Sequence, residues 1–210
     1  MKRKPIASIT ACVFALIVLL FQFLRVSVIG GNLMAVWQLP MLDNETSNLL
    51  AIIESAIALL IPITLVIFCI LLVIEECRKE PYPARINRYL KLMVIPLALM
   101  VIGALEKTGY IFLYEGNFSL EYTWIELLTS ALILIIYGLT VFDKLKSGYW
   151  LMLICFVFII MEVCRLSFPN ISYAYVIGNN VYLSTFAGAA LFYFSYLFLG
   201  LSFVLYRRNT

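Results

Sequence analysis

The chain has 210 residues, of which 64% are hydrophobic and 13% charged, with a mean hydropathy of +1.01 and a formal net charge of +3. A soluble fold of this size cannot cover so much apolar surface, and the solvent the composition implies is a lipid bilayer. The small charge, scattered through short loops, argues against a nucleic-acid partner, and the absence of histidine removes the commonest general base and metal ligand, any Ser-His-Asp arrangement and imidazole-ligated haem.

In chain order, Met1-Lys2-Arg3-Lys4 leads into a first apolar stretch, Ile6 to Ile29. It is too long for the apolar part of a secretory leader and no clear A-x-A site follows it, so an uncleaved first span is expected. Within it Ala7, Ala11 and Ala15 recur every four residues, a small-residue stripe that lets another helix approach closely, more commonly one of the chain's own, and is also a candidate interface for a membrane-protein partner. The connection Gly30 to Ser47 carries an apolar run, Leu33 to Leu39, that contains Trp37 and is followed by Pro40. It reads as a segment lying in the interface or closing over a pocket.

A second span, Leu49 to Ile74, is expected to be capped by Thr46, Ser47 or Asn48. The charged connection Glu75 to Arg88, centred on Pro81-Tyr82-Pro83, separates it from the third span, Leu90 to Leu113. Tyr122 to Phe142, Tyr149 to Phe168 and Val181 to Tyr206 complete the set, the last with a short small-residue stripe at Ser184 and Gly188. About 20 helical residues cross a hydrocarbon core, so the reading is an all-α bundle of about six transmembrane helices forming one membrane domain over residues 1–210. Pro62 and Pro96 mark kinks or hinges in the second and third spans.

Orientation follows from the basic residues. Lys2, Arg3, Lys4, Arg78, Lys79, Arg85, Arg88, Lys91, Lys144, Lys146, Arg207 and Arg208 all fall at one set of span ends, and only Arg25, Lys107 and Arg165 at the other. By the positive-inside rule both termini are cytosolic. Aromatic residues near span ends, among them Tyr114, Tyr122, Tyr149 and Trp150, agree with rings at headgroup level.

Sorted by depth, Arg25, Glu54, Glu106, Lys107, Glu126, Glu162 and Arg165 gather within about two helical turns of the outer boundary. Charges at that level are costly unless they face the bundle interior, water or a partner. Glu162 and Arg165, three apart, share a helix face and can pair, whereas Glu54 has no basic neighbour in its own span. The layer reads either as ion-paired structural glue or as an outward-facing site for a small polar solute, with Trp37, Tyr110 and Trp124 as stacking walls.

The five cysteines, Cys12, Cys69, Cys77, Cys155 and Cys164, contain no C-x-x-C pair and read as buried thiols, implying neither a disulfide framework nor a metal site. No cofactor is implied. Asp43 and Asp143, the only aspartates, lie at opposite boundaries, which removes a paired-aspartate protease. Cys164 beside Arg165 is the one conceivable nucleophile, and no histidine is present to act as its base, so no catalytic residue is assigned. The triplets Asn44-Glu45-Thr46, Asn117-Phe118-Ser119 and Asn170-Ile171-Ser172 fit the glycosylation pattern but arise readily by chance. The expected location is a bacterial cytoplasmic membrane.

In overall plan, with six spans, cytosolic termini, an outer pocket under the first loop and a small-residue stripe on the first span, the chain is similar to the substrate-binding components of energy-coupling-factor vitamin transporters. The likeness includes no binding motif, and it implies a polar solute at the outer face and partner subunits in the membrane. The expected function is therefore transport-related solute binding. The alternative is a non-catalytic accessory, immunity or sensory protein acting through a membrane partner.

Overall fold

The structure, a computed structural model, describes residues 5–29, 44–114, 122–142, 148–167 and 179–207, with side chains at 5–23, 56–105, 127–142, 148–164 and 190–205. Every described element is helical: α1 (Ile6–Ile29), α2 (Asn44–Cys77), α3 (Pro83–Leu92), α4 (Val94–Tyr114), α5 (Tyr122–Val141), α6 (Tyr149–Ser167) and α7 (Asn179–Arg207). Among the described residues three stretches, Ile6–Phe23, Ala56–Cys77 and Pro83–Leu105, are long and apolar enough to cross a membrane. Leu127–Val141, Tyr149–Cys164 and Ala190–Leu205 are shorter apolar stretches. The chain is an all-α membrane bundle.

Two boundaries differ from expectation for one reason. Helical hydrogen bonding does not stop where hydropathy falls, and neither Gly nor Pro interrupts Asn44–Asn48 or Glu75–Cys77. The second helix therefore runs from Asn44 to Cys77, with Thr46, Ser47 and Asn48 inside it and not at its cap. The connection expected between Glu75 and Arg88 likewise holds the start of α3, with Pro83 in its first turn, where a missing N–H costs nothing.

The helices pack in chain order around a ring. α1 lies against α2, α2 against α4, α4 against α5, α5 against α6, α6 against α7, and α7 closes back on α1. The α1–α7 and α6–α7 seams are the most extensive and α5–α6 is the slimmest, while α3 packs on α2, α4 and α5. The outer surface is apolar, as a lipid-facing wall must be. On α1 the exposed Ile6, Ile9, Val13, Leu16 and Leu20 recur at spacings of three and four, on the face opposite the buried Ala7, Ala11, Ala15 and Val18. Exposed apolar side chains on α2, α4, α5 and α6 extend this belt, which in water would be an aggregation surface.

Inside, aromatic side chains fill the ring. Tyr137 of α5 meets Tyr196 of α7 edge to face at 5.4 Å and Phe203 at 5.9 Å, and Tyr196 also packs on Phe192 at 5.0 Å. Both phenols are fully buried. Each donates across the interior to the break between α3 and α4, Tyr137 to the Leu90 carbonyl at 2.7 Å and Tyr196 to the Met93 carbonyl at 2.8 Å. The break has a sequence cause: Pro96 has no N–H to offer the Leu92 carbonyl, and its ring crowds that turn. Met93 carries the discontinuity, and Pro96 falls in the first turn of α4, so the kink expected in the third span lies a few residues before the proline.

A second close approach involves glycines. A Cβ added at Gly148 would meet the Gly200 carbonyl oxygen at 2.7 Å, and one at Gly200 would meet Met152 Cγ at 2.9 Å. Backbone meets backbone where α6 begins, and no side chain fits.

Two outcomes are expected from thermal unfolding in detergent. Gly148→Ala forces the α6–α7 seam apart and lowers stability by about 1–3 kcal/mol, whereas Gly138→Ala in α5, whose new methyl meets nothing within 4 Å, is neutral or stabilising by up to about 1 kcal/mol. Tyr137→Phe and Tyr196→Phe each leave a carbonyl at the break without its hydroxyl and cost about 1–3 kcal/mol. Equal behaviour of the two glycine variants would contradict the close approach.

Candidate functional site

The expected outer polar layer is distributed over helices that adjoin in the ring. Arg25 lies in the last turns of α1 and Glu54 in the N-terminal part of α2. Glu106, Lys107 and Tyr110 lie in the C-terminal half of α4, Trp124 and Glu126 in the first turns of α5, and Glu162 and Arg165 near the end of α6. The side chains of Arg25, Glu54, Glu106, Lys107, Tyr110, Trp124, Glu126 and Arg165, and the whole of Trp37, lie outside the described residues.

Glu162 is the member whose side chain is described, and it is 3% exposed. It continues the inward stripe of α6, which reads Leu151, Cys155, Phe158, Ile159 and Glu162, all buried, while Phe156, Val157, Ile160 and Val163 face outward. The carboxyl group therefore enters the ring and avoids lipid, the arrangement that makes a membrane carboxylate tolerable. At about 100° per residue, Arg165 stands about 60° round the helix from Glu162, on the same side.

The stripe Ala7, Ala11 and Ala15 is buried by the chain's own helices, with α1 held against α7 and α2. Phe14 stacks on Phe194 at 5.2 Å and on Phe198 at 5.7 Å. Cys69 and Cys155 are core thiols as expected, but Cys77 and Cys164 are exposed, because Cys77 ends a helix at the rim and Cys164 falls on the outward face of α6 beside Val163. Among the described residues no cluster of three or more His, Cys, Asp or Glu side chains is placed to hold a metal. A shallow apolar groove of about 590 Å³, lined by Tyr149, Trp150, Met152, Leu153, Phe156 and Leu197, opens on the flank of α6 towards its other end, away from Glu162.

Sequence reasoning missed a polar network at the opposite, basic end. Glu75, whose side chain is 2% exposed, pairs with Arg78 at 3.3 Å and Arg85 at 3.9 Å, both half-exposed. Its Oε1 accepts the Tyr82 N–H at 3.1 Å, so the α2–α3 turn folds over the carboxylate. Next to it, Ser202 of α7 donates to Glu76 Oε1 at 3.3 Å. With that proton committed, Ser8 of α1 is the donor in the 3.0 Å Ser8–Ser202 contact. One relay thus ties α1, α7 and α2 at the basic end. The signal was available: an acidic pair immediately after an apolar run and just before Arg78-Lys79.

Comparison with protein families, curated proteins and solved structures finds no match to this chain. Fold and site together define a helical membrane protein with an ordered polar network at one end and a buried carboxyl group near the other.

Glu75→Ala removes the acceptor for Arg78, Arg85 and the Tyr82 N–H and is expected to lower stability by about 1–3 kcal/mol. The deficit is limited because both cations still reach water. Limited proteolysis should then cut within 78–85 faster than in wild type, and unchanged cleavage would show that the turn does not depend on the carboxylate.

Proposed function

We propose that this chain is a six-span membrane protein with cytosolic termini that binds a small polar solute at the outer end of its helix ring, in a transport-related role. The observation that carries the reading is the burial of Glu162 on the inward face of α6, at the level where the sequence places charged residues on four other helices. Carboxyl groups are retained inside membrane bundles mainly where they bind, relay or pair, which makes an intramembrane acid a default functional candidate. Opposite charges at one level suit a zwitterionic or multiply polar ligand, since each part of the solute meets a complementary group. The distribution of Lys and Arg supports the orientation.

The test is thermal unfolding of the detergent-purified protein against amino acids, vitamins, nucleosides and metal ions, with Glu162→Gln and Glu54→Gln alongside wild type. A ligand at about 100 times its Kd stabilises by about 2.7 kcal/mol, so millimolar compounds reveal even weak sites. A solute that stabilises wild type and loses its effect in Glu162→Gln is the expected result. The reading is overturned if no compound stabilises wild type while Glu162→Gln is simply less stable, the outcome of a purely structural carboxylate.

A further inference from the structure

The kinked helix α3–α4 presents one continuous outward face that changes character along its length. Ile86 and Leu90 are buried against the bundle, while Arg85, Arg88 and Lys91 are exposed. Arg88 is two residues from each buried position, which puts it about 160° round the helix from both. Two turns further on, at spacings of seven, the exposed residues are Ile95 and Ile102. One stripe thus runs from guanidinium and ammonium groups into hydrocarbon, with about 10 Å between Arg88 and Ile95 at 1.5 Å per residue.

That is the profile of a phospholipid, with charge at the headgroup and chain below. The cations are also available. Glu75 is taken up by Arg78 and Arg85, and among the described residues no carboxylate pairs with Arg88 or Lys91. The Lys91 ammonium sits over the exposed ring of Phe142 at 5.5 Å, an anchor that holds it at the interface.

We propose that this face binds an anionic phospholipid of the inner leaflet, its phosphate between Arg88 and Lys91 and an acyl chain along Ile95 and Ile102. Charge complementarity selects an anionic headgroup over a zwitterionic one, whose own ammonium is repelled by the two cations.

The protein in neutral detergent is titrated with phosphatidylglycerol or phosphatidylcholine, following thermal unfolding and, by native mass spectrometry, the lipid retained. Wild type and the charge-keeping variant Arg88→Lys/Lys91→Arg should hold phosphatidylglycerol in preference. Arg88→Gln/Lys91→Gln should weaken that binding on the order of 30-fold with helical content unchanged. Soluble glycerol phosphate should not substitute. Equal retention of both lipids by wild type, undiminished phosphatidylglycerol binding by the glutamine variant, or an equal response to glycerol phosphate would each overturn the proposal. If the glutamine variant does not fold, the wild-type comparison of the two lipids decides alone.

Discussion

Inside a bilayer a backbone carbonyl short of donors has no water to turn to, and at the α3–α4 break the Leu90 carbonyl has only a 3.3 Å contact from the Met93 N–H within its own backbone. Helix ends leave acceptors short of donors, and here two of them gain hydroxyl donors from a distance. Tyr137 and Tyr196 reach the Leu90 and Met93 carbonyls from α5 and α7. For both hydroxyls to arrive, α5 and α7 must stand on either side of the break, and the edge-to-face contact between the two rings fixes their separation. The positions of α6, α1 and α2 then follow from the seams that join each to its neighbour. The break before Pro96 is thus a meeting point of the ring, where hydroxyls from helices distant in sequence converge.

The two ends of the ring are built differently. At the basic end, Glu75 is met by Arg78, Arg85 and the Tyr82 N–H while Ser8, Ser202 and Glu76 form a second chain beside it, and the two cations offset the desolvation of Glu75 while themselves still reaching water. Towards the other end a carboxyl group is carried into the interior on α6, away from the lipid in which its charged form would be costly. Within the helices, spare hydroxyls are absorbed locally. Thr10, Thr64 and Thr140 donate to carbonyls of their own preceding turns, which keeps each hydroxyl proton engaged within its helix.

Hydropathy read the helices well because the bilayer imposes it residue by residue: α1 spans Ile6–Ile29 as expected, and α5 and α6 differ from expectation by a residue at one end. The extension of α2 and the placement of α3 escaped it because helix formation and hydrocarbon depth are separate properties. What joins the helices was far less legible. Tyr137 lies 47 residues from the carbonyl it serves and Tyr196 lies 103 from its own, and no periodicity within one span reveals a hydroxyl's use on another. Gly148 and Gly200 carry no stripe of small residues to announce them, unlike Ala7, Ala11 and Ala15, whose stripe was visible but whose neighbour was not. The inward facing of Glu162 follows once Leu151, Cys155 and Phe158 are seen to be buried with it on one stripe of α6.

The packing also decides where this ring can yield. The α6–α7 seam is extensive and pinned by backbone contact at Gly148 and Gly200, and α7 is further tied to α1 and α2 through Ser202. The α5–α6 seam has the least contact of the six, so separating those helices forfeits the fewest dispersion contacts. Glu162 lies on α6, and movement of that helix meets less resistance from α5 than from α7. The same asymmetry leaves α3 undisturbed, because its supports are α2, α4 and α5 and not α6. Movement of α6 near Glu162 therefore need not loosen the Glu75 network at the basic end.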